Sequence, residues 1–318
     1  MNILMMGTGT FAEPTFQALL RSRHRVVGLV TNPDRPSGKE RDMERGIKKI
    51  AVDAGVLTFQ PLSINTPESI EHLKTVFHPD IYVVAAYGQI LSNEVLSVPP
   101  RGGINVHSSL LPRFRGAAPI ARAILEGETE TGVTIIRMTP RMDAGEMLGQ
   151  VKEPIHRHDT AGTLEARLAA AGAALALQVL EQIEAGTEQG VPQDLKLVTK
   201  APKLTKEMGL VDFKRTAHQV DCQVRAMQPW PTPYTYCHRQ NGGPLRLIVL
   251  RAEPDPAQTT DQLPGQVIGL SADLCSIACD QGTVIRLVSV QPSGKKAQSI
   301  ADFIRGYRLQ VGDRFGAE

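Results

Sequence analysis

Within the stretch INVHSSLLPRFRGAAPI, residues 104 to 120, an apolar run delivers Asn105 and His107 two positions apart and then breaks into a Pro-Arg-Gly turn. If the run is a β-strand, alternate side chains share one face, so the amide and the imidazole project together. An amide N–H suits an oxygen that gains negative charge, and an imidazole that titrates near neutral pH carries a proton or a charge. Together these groups suit attack on a carbonyl carbon. A carboxylate completes such a site by orienting the imidazole. MDAGEML supplies Asp143 in a Gly-containing loop just after the strand VTIIRM. Each residue also has a structural role open to it: a core histidine, a strand-end cap, a turn former before Gly145. Their joint occurrence at the ends of successive strands favours chemistry. No serine or cysteine sits in a G-x-S-x-G elbow, so direct transfer between two substrates fits better than a covalent acyl-enzyme.

These groups need a scaffold, and the chain before Gly186 has the pattern of one. NILMM, VVGLVT, IYVVAA, GINVH and VTIIRM are short apolar runs rich in Val and Ile, separated by helical stretches such as IKKIAVDAG, PESIEHLKTVF and AAPIARAILEG. This alternation predicts a Rossmann-like, mostly parallel sheet covered on both faces. A long alanine-rich helix, TLEARLAAAGAALALQVLEQIEAG, closes the domain, with Asp159 or Thr160 as its N-cap and Gly186 past its end. The HRHD at 156–159 is read as part of that cap rather than as a metal site. Beyond it lies a polar, Lys- and Pro-containing connection, and then a helix near 213–227 and five short alternating strands, from YTYCH to TVIRLVSV. Such a set predicts a small barrel of OB type. The expected boundaries are 1–189, a connection at 190–206, and 207–318.

GTGTFA, residues 7 to 12, matches a dinucleotide-binding turn. The fingerprint also requires a carboxylate at the end of the second strand, and that strand ends Val30-Thr31-Asn32 with none before Asp34. A nicotinamide-dependent dehydrogenase is thus the weaker alternative. The four cysteines, Cys222, Cys237, Cys275 and Cys279, have neither the spacing of a zinc site nor the density of a disulfide framework and are expected to be buried thiols. With no basic leader at MNILMMG and no apolar stretch near the length of a membrane span, the expectation is a cytoplasmic protein that meets no membrane. A net charge of +2 leaves any polyanion to local patches, the clearest being DLKLVTKAPKLTKE with Lys196, Lys200, Lys203 and Lys206.

NVHSSLLPRFRGAAPI resembles the catalytic segment of the methionyl-tRNA formyltransferases. GTGTFAEP, VTNPDRPSG, AAYGQIL, MDAGEML, DTAGTL, APKLTKE, MQPWPTPY and GYRLQVGDRF are similar to that family's segments, in order, over nearly the whole chain. The resemblance implies a formyltransferase domain followed by an OB-like tRNA-binding domain. The implied reaction moves the formyl group of 10-formyltetrahydrofolate, a co-substrate, to initiator methionyl-tRNA without a metal, in a monomer. It also implies Asn105, His107 and Asp143 as the catalytic trio. Ser109, Leu110, Leu111 and Pro112, with Tyr87 and Gly88, are implied to contact folate, and Lys39, Arg41, Arg45, Lys200, Lys203 and Lys206 to contact tRNA. Other folate-dependent formyltransferases and hydrolases of the superfamily share the trio; APKLTKE and MQPWPTPY favour the tRNA enzymes. One loop departs from the pattern: KERDMERGIKK intersperses Glu40, Asp42 and Glu44 among its cations and has Gly46 where a proline is common.

Overall fold

The computed structural model describes residues 1–34, 46–240 and 242–317. Lys39, Arg41 and Arg45, and the acidic residues between them, lie outside the described residues. The chain forms two compact units that are interleaved along the sequence: Met1–Pro119, Glu130–Pro154 and Thr163–Pro202 in the first, and Ile120–Thr129, Ile155–Gly162 and Lys203–Glu318 in the second.

The first unit opens with β1 (Asn2–Gly7), α1 (Ala12–Arg21), β2 (Arg25–Val30), α2 (Ile47–Asp53) and β3 (Thr58–Phe59). Then come α3 (Pro67–His72), β4 (Ile81–Ala85), α4 (Asn93–Leu96), β5 (Gly103–His107), β6 (Arg115–Gly116) and α5 (Pro119–Leu125), the last passing into the second unit. β7 (Glu130–Arg137), β8 (Met147–Pro154), α6 (Ala161–Ala185) and β9 (Lys200–Ala201) follow. The sheet order is β3-β2-β1-β4-β5-β7-β8. The five strands from β3 to β5 are parallel. Their apolar runs are continuous because helices cover both faces: Ile3, Leu4, Met5 and Met6 are all fully buried.

VTIIRM, in β7, runs antiparallel to β5, with His107 opposite Thr134 and Ile104 opposite Arg137. After β5 the chain turns through β6 and α5 and re-enters the sheet at the end it left, so no crossover is made. β8, which the sequence reading passed over, is the antiparallel edge strand beyond it. From Gly149 to Pro154 its residues alternate between half-buried and exposed.

In GTGTFA, Gly7 lets β1 pass close to the Ala85 carbonyl: an added Cβ would lie 2.9 Å from it. Thr8 Oγ1 accepts from both the backbone N–H and the side-chain amide of Asn32. Where a dinucleotide fold would hold a ribose, this chain ties two of its own loops together.

α6 is long and apolar enough to cross a membrane by length and composition, contrary to the expectation that no stretch is. Its alanines raise its hydropathy. Nine of its residues from Leu164 to Ile183 are buried, and Gly172 lets Val106 and Val133 of the sheet approach closely. The expected connection at 190–206 runs along the first unit as far as Pro202: Val191 exchanges two backbone hydrogen bonds with Met147, and β9 pairs with β6.

The second unit holds α7 (Ala217–Ala226), β10 (Tyr234–His238), β11 (Leu245–Pro254), β12 (Val267–Leu270), β13 (Cys275–Ala278), β14 (Val284–Pro292), β15 (Gln298–Ser299), α8 (Ile300–Tyr307) and β16 (Arg314–Gly316). α7 starts later than expected because Thr216 and Gln219 form a reciprocal N-terminal cap. β15, α8 and β16 were not anticipated. The antiparallel order β12-β13-β14-β11-β10-β16 closes on itself, since Val267 donates to the Asp313 carbonyl and Phe315 to that of Gly265. Val249, Ile277, Leu287, Phe303 and Phe315 fill the interior with three of the four free cysteines. Burial pushes the thiols of Cys237 and Cys279 up to about 12, which leaves them inert near neutral pH.

Candidate active site

Asn105 and His107 project from the same face of β5, and the loop after β7 folds back along the strand to meet them. Asn105 Nδ2 donates to Asp143 Oδ1 at 3.5 Å, and the same oxygen lies 3.6 Å from His107 Nδ1. The other carboxylate oxygen, Oδ2, accepts from the Gly116 backbone N–H at 2.8 Å. Asp143 is thus fixed through both oxygens, in a left-handed backbone conformation (φ 50°) that Asp tolerates better than most residues.

His107 is 5% exposed, and its Nε2 lies 3.0 Å from the Phe114 carbonyl. A carbonyl only accepts, so Nε2 carries the hydrogen and Nδ1 is the atom that faces Asp143. When a proton sits between Nδ1 and Oδ1 the contact becomes a charge-assisted bond, so the pair is built to hold one proton and hand it on. Phe114 is held at φ 61°, an unusual value for a bulky residue. Its N–H donates to Thr199 Oγ1, and Arg115 N–H donates to the Thr199 carbonyl, so residues ahead of β9 aim the Phe114 carbonyl at the imidazole.

The Ser109–Pro112 run is braced from β7 and β8. Thr134 Oγ1 donates to the Ser109 carbonyl and accepts from Leu111 N–H, and Gln150 Nε2 donates to the Leu111 carbonyl. Ser109 is buried with its hydroxyl spent on the Arg113 carbonyl, and Leu111 is buried as well; Leu110 and Pro112 are half-buried. Tyr87 and Gly88 follow β4, whose Val84 is in register with Asn105, so they leave the sheet at the same end. The Tyr87 carbonyl accepts from Asn32, and burial raises its phenol above the ordinary range. Lys200, Lys203 and Lys206 are exposed and do not join the trio.

Thr134, Gln150, Gln193 and Thr199 were not singled out from sequence. Thr134 had a signal, a lone hydroxyl inside the apolar run VTIIRM; Gln193 and Thr199 had none. Among the described residues no group of three or more His, Cys, Asp or Glu side chains is placed to hold a metal ion. Asp159, in HRHD, accepts the His156 backbone N–H in a local turn.

A sheet unit with an Asn-His-Asp trio ahead of a closed barrel is the arrangement of a formyl transferase. The family model "Formyl transferase" matches residues 1–180, and "Formyl transferase, C-terminal domain" matches residues 203–308. Among curated relatives, the methionyl-tRNA formyltransferase of Marinobacter nauticus is 40% identical over 307 residues, covering 96% of each chain. That of Methylococcus capsulatus is 41% identical over 317 residues, 99% of this chain and 100% of its own. The chain belongs to the methionyl-tRNA formyltransferase family. Among solved structures, a sugar 3N-formyl transferase with dTDP and 5-N-formyl-THF superposes at TM-score 0.69 with 18% identity, covering 93% of this chain and 99% of its own. A Helicobacter canadensis N-formyltransferase with folinic acid and dTDP-3-aminofucose reaches 0.66 at 17%, covering 92% and 99%. At that identity the likeness is one of fold.

Proposed function

We propose that this protein transfers the formyl group of 10-formyltetrahydrofolate to the α-amine of initiator methionyl-tRNA. The observation that carries the reading is about 40% identity to methionyl-tRNA formyltransferases over essentially the whole chain. The amine nitrogen attacks the formyl carbon, and the carbonyl oxygen becomes an oxyanion. Asn105 Nδ2 and a protonated His107 are the donors for that oxygen. Asp143 takes the proton the amine gives up as the C–N bond forms. The bond from the formyl carbon to folate N10 then breaks, and N10 receives a proton as tetrahydrofolate leaves. Every step uses groups held by backbone or buried partners, so little reorganisation accompanies the change in charge.

Ser109, Leu110, Leu111, Pro112, Tyr87 and Gly88 are proposed to line the folate side. Lys200, Lys203 and Lys206, with Lys39, Arg41 and Arg45, are proposed to meet tRNA phosphates. Residues 1–189 are assigned to catalysis and 207–318 to tRNA, joined by 190–206, in a monomer that acts in the cytoplasm.

The test is a formyl-transfer assay with charged initiator and elongator tRNA, run on wild type, His107→Ala and Asp143→Asn. Each variant is expected to lower turnover by about a hundredfold or more while retaining a cooperative melt. Wild-type turnover in either would remove that residue from the mechanism.

A further inference from the structure

Gln193 lies in an otherwise exposed stretch: Val191, Pro192, Asp194, Leu195, Lys196 and Leu197 all face solvent, while Gln193 is half-buried. The two-bond bridge between Val191 and Met147 brings it to the loop that carries Asp143. There its amide is fully used. Nε2 donates to the Asp143 carbonyl and to the Gly145 carbonyl, each at 2.8 Å. Oε1 accepts from Arg115 Nε at 3.0 Å and Nη2 at 2.7 Å. Arg115 adjoins both Phe114, whose carbonyl faces His107, and Gly116, whose N–H holds Asp143. One side chain therefore joins the two loops that must agree on where His107 and Asp143 stand.

We propose that Gln193 is a positioning residue for formyl transfer: it sets the Asp143 carboxylate against His107 and touches neither substrate. The inference rests on the role given to Asp143 above. Asp143 needs such a clamp because its left-handed backbone is sparsely populated by side-chain-bearing residues and its contacts to His107 and Asn105 are long. Without the clamp the loop relaxes and the carboxylate shifts, and a displacement of about 1 Å in a catalytic group lowers turnover by up to about a hundredfold. Substrate binding surfaces are unaffected, so the loss falls on kcat.

Two substitutions separate this from general support. Gln193→Glu keeps an acceptor for Arg115 but presents oxygens to the two loop carbonyls, and Gln193→Met keeps the length without any donor. Both alter a surface stretch, and either one, folded, decides the matter. The expected result is a kcat lowered about ten- to a hundredfold, with KM for folate and for tRNA within about twofold and a melting midpoint near wild type. Combined with Asp143→Asn, the second substitution should add little, because both act on one carboxylate. Wild-type kcat in both Gln193 variants, or losses that multiply in full with Asp143→Asn, would overturn the proposal. Undiminished turnover in Asp143→Asn alone would instead remove the function assigned to Asp143, and this role with it.

Discussion

Gly116→Ala separates the cost of folding the site from the cost of running it. Gly116 has φ 130°, a region closed to side-chain-bearing residues, and a Cβ built there lies 2.5 Å from the Ala201 carbonyl oxygen and 3.0 Å from its carbon. Both atoms are backbone of the paired strand and cannot rotate away. Backbone strain of this kind costs about 1–3 kcal/mol, or roughly 2–4 °C in melting midpoint for each kcal/mol in a domain of this size. The escape is for β6 to move off β9, which draws the Gly116 N–H away from Asp143 Oδ2, now at 2.8 Å. A hydrogen bond to a charged group is worth about 1.5–3 kcal/mol. If that stabilisation is needed at the transition state, kcat falls about ten- to a hundredfold. Gly186→Ala is the control, since Gly186 has φ 67° past the end of α6 with nothing within 4 Å of an added Cβ. It should lower the melt by a few degrees and leave kcat alone. Formyl-transfer kinetics and thermal melts on the two variants decide. Equal kcat in both would show that the Gly116–Asp143 bond is architecture without consequence for the reaction.

The buried His24 ring lies beside the N-terminal amine, and burial first, then that positive charge, lowers its pKa below 6.5. The unfolded chain takes up the proton first as pH falls, so stability present above about 6.5 is lost below it. His24→Gln should therefore flatten the fall in melting midpoint between pH 7 and 5; a slope unchanged from wild type would refute this. For the loop outside the described residues, Arg41→Ala with Arg45→Ala should raise KM for tRNA and reduce the slope of log affinity against log salt by nearly 2, at about 0.9 per phosphate released. Identical slopes would mean that the loop does not hold nucleic acid.

The sheet and the trio were legible because their signals are local. Apolar runs of four to six residues, and Asn and His at strand spacing, need no knowledge of distant partners. The direction of β7 was not legible, because it depends on which end of the sheet the chain re-enters after β6 and α5. Gln193 was hidden for a related reason: its worth lies in carbonyls some fifty positions earlier. In the barrel, β16 carries the short pattern Arg-Phe-Gly, and only its bonds to residues 265–267 make it a strand.

The interleaving of the two units has a consequence for synthesis. Ile120–Thr129 and Ile155–Gly162 emerge from the ribosome well before Lys203, yet their partners in the second unit come later: Gly162 N–H donates to the Gln228 carbonyl, and Arg225 reaches the Asp159 carbonyl. Until α7 is made, these early segments have no mates and α5 holds Ile120 and Ile124 ready for burial. The nascent chain thus carries exposed apolar surface across a long interval of elongation, a stretch on which chaperones act and where pausing would favour aggregation over assembly.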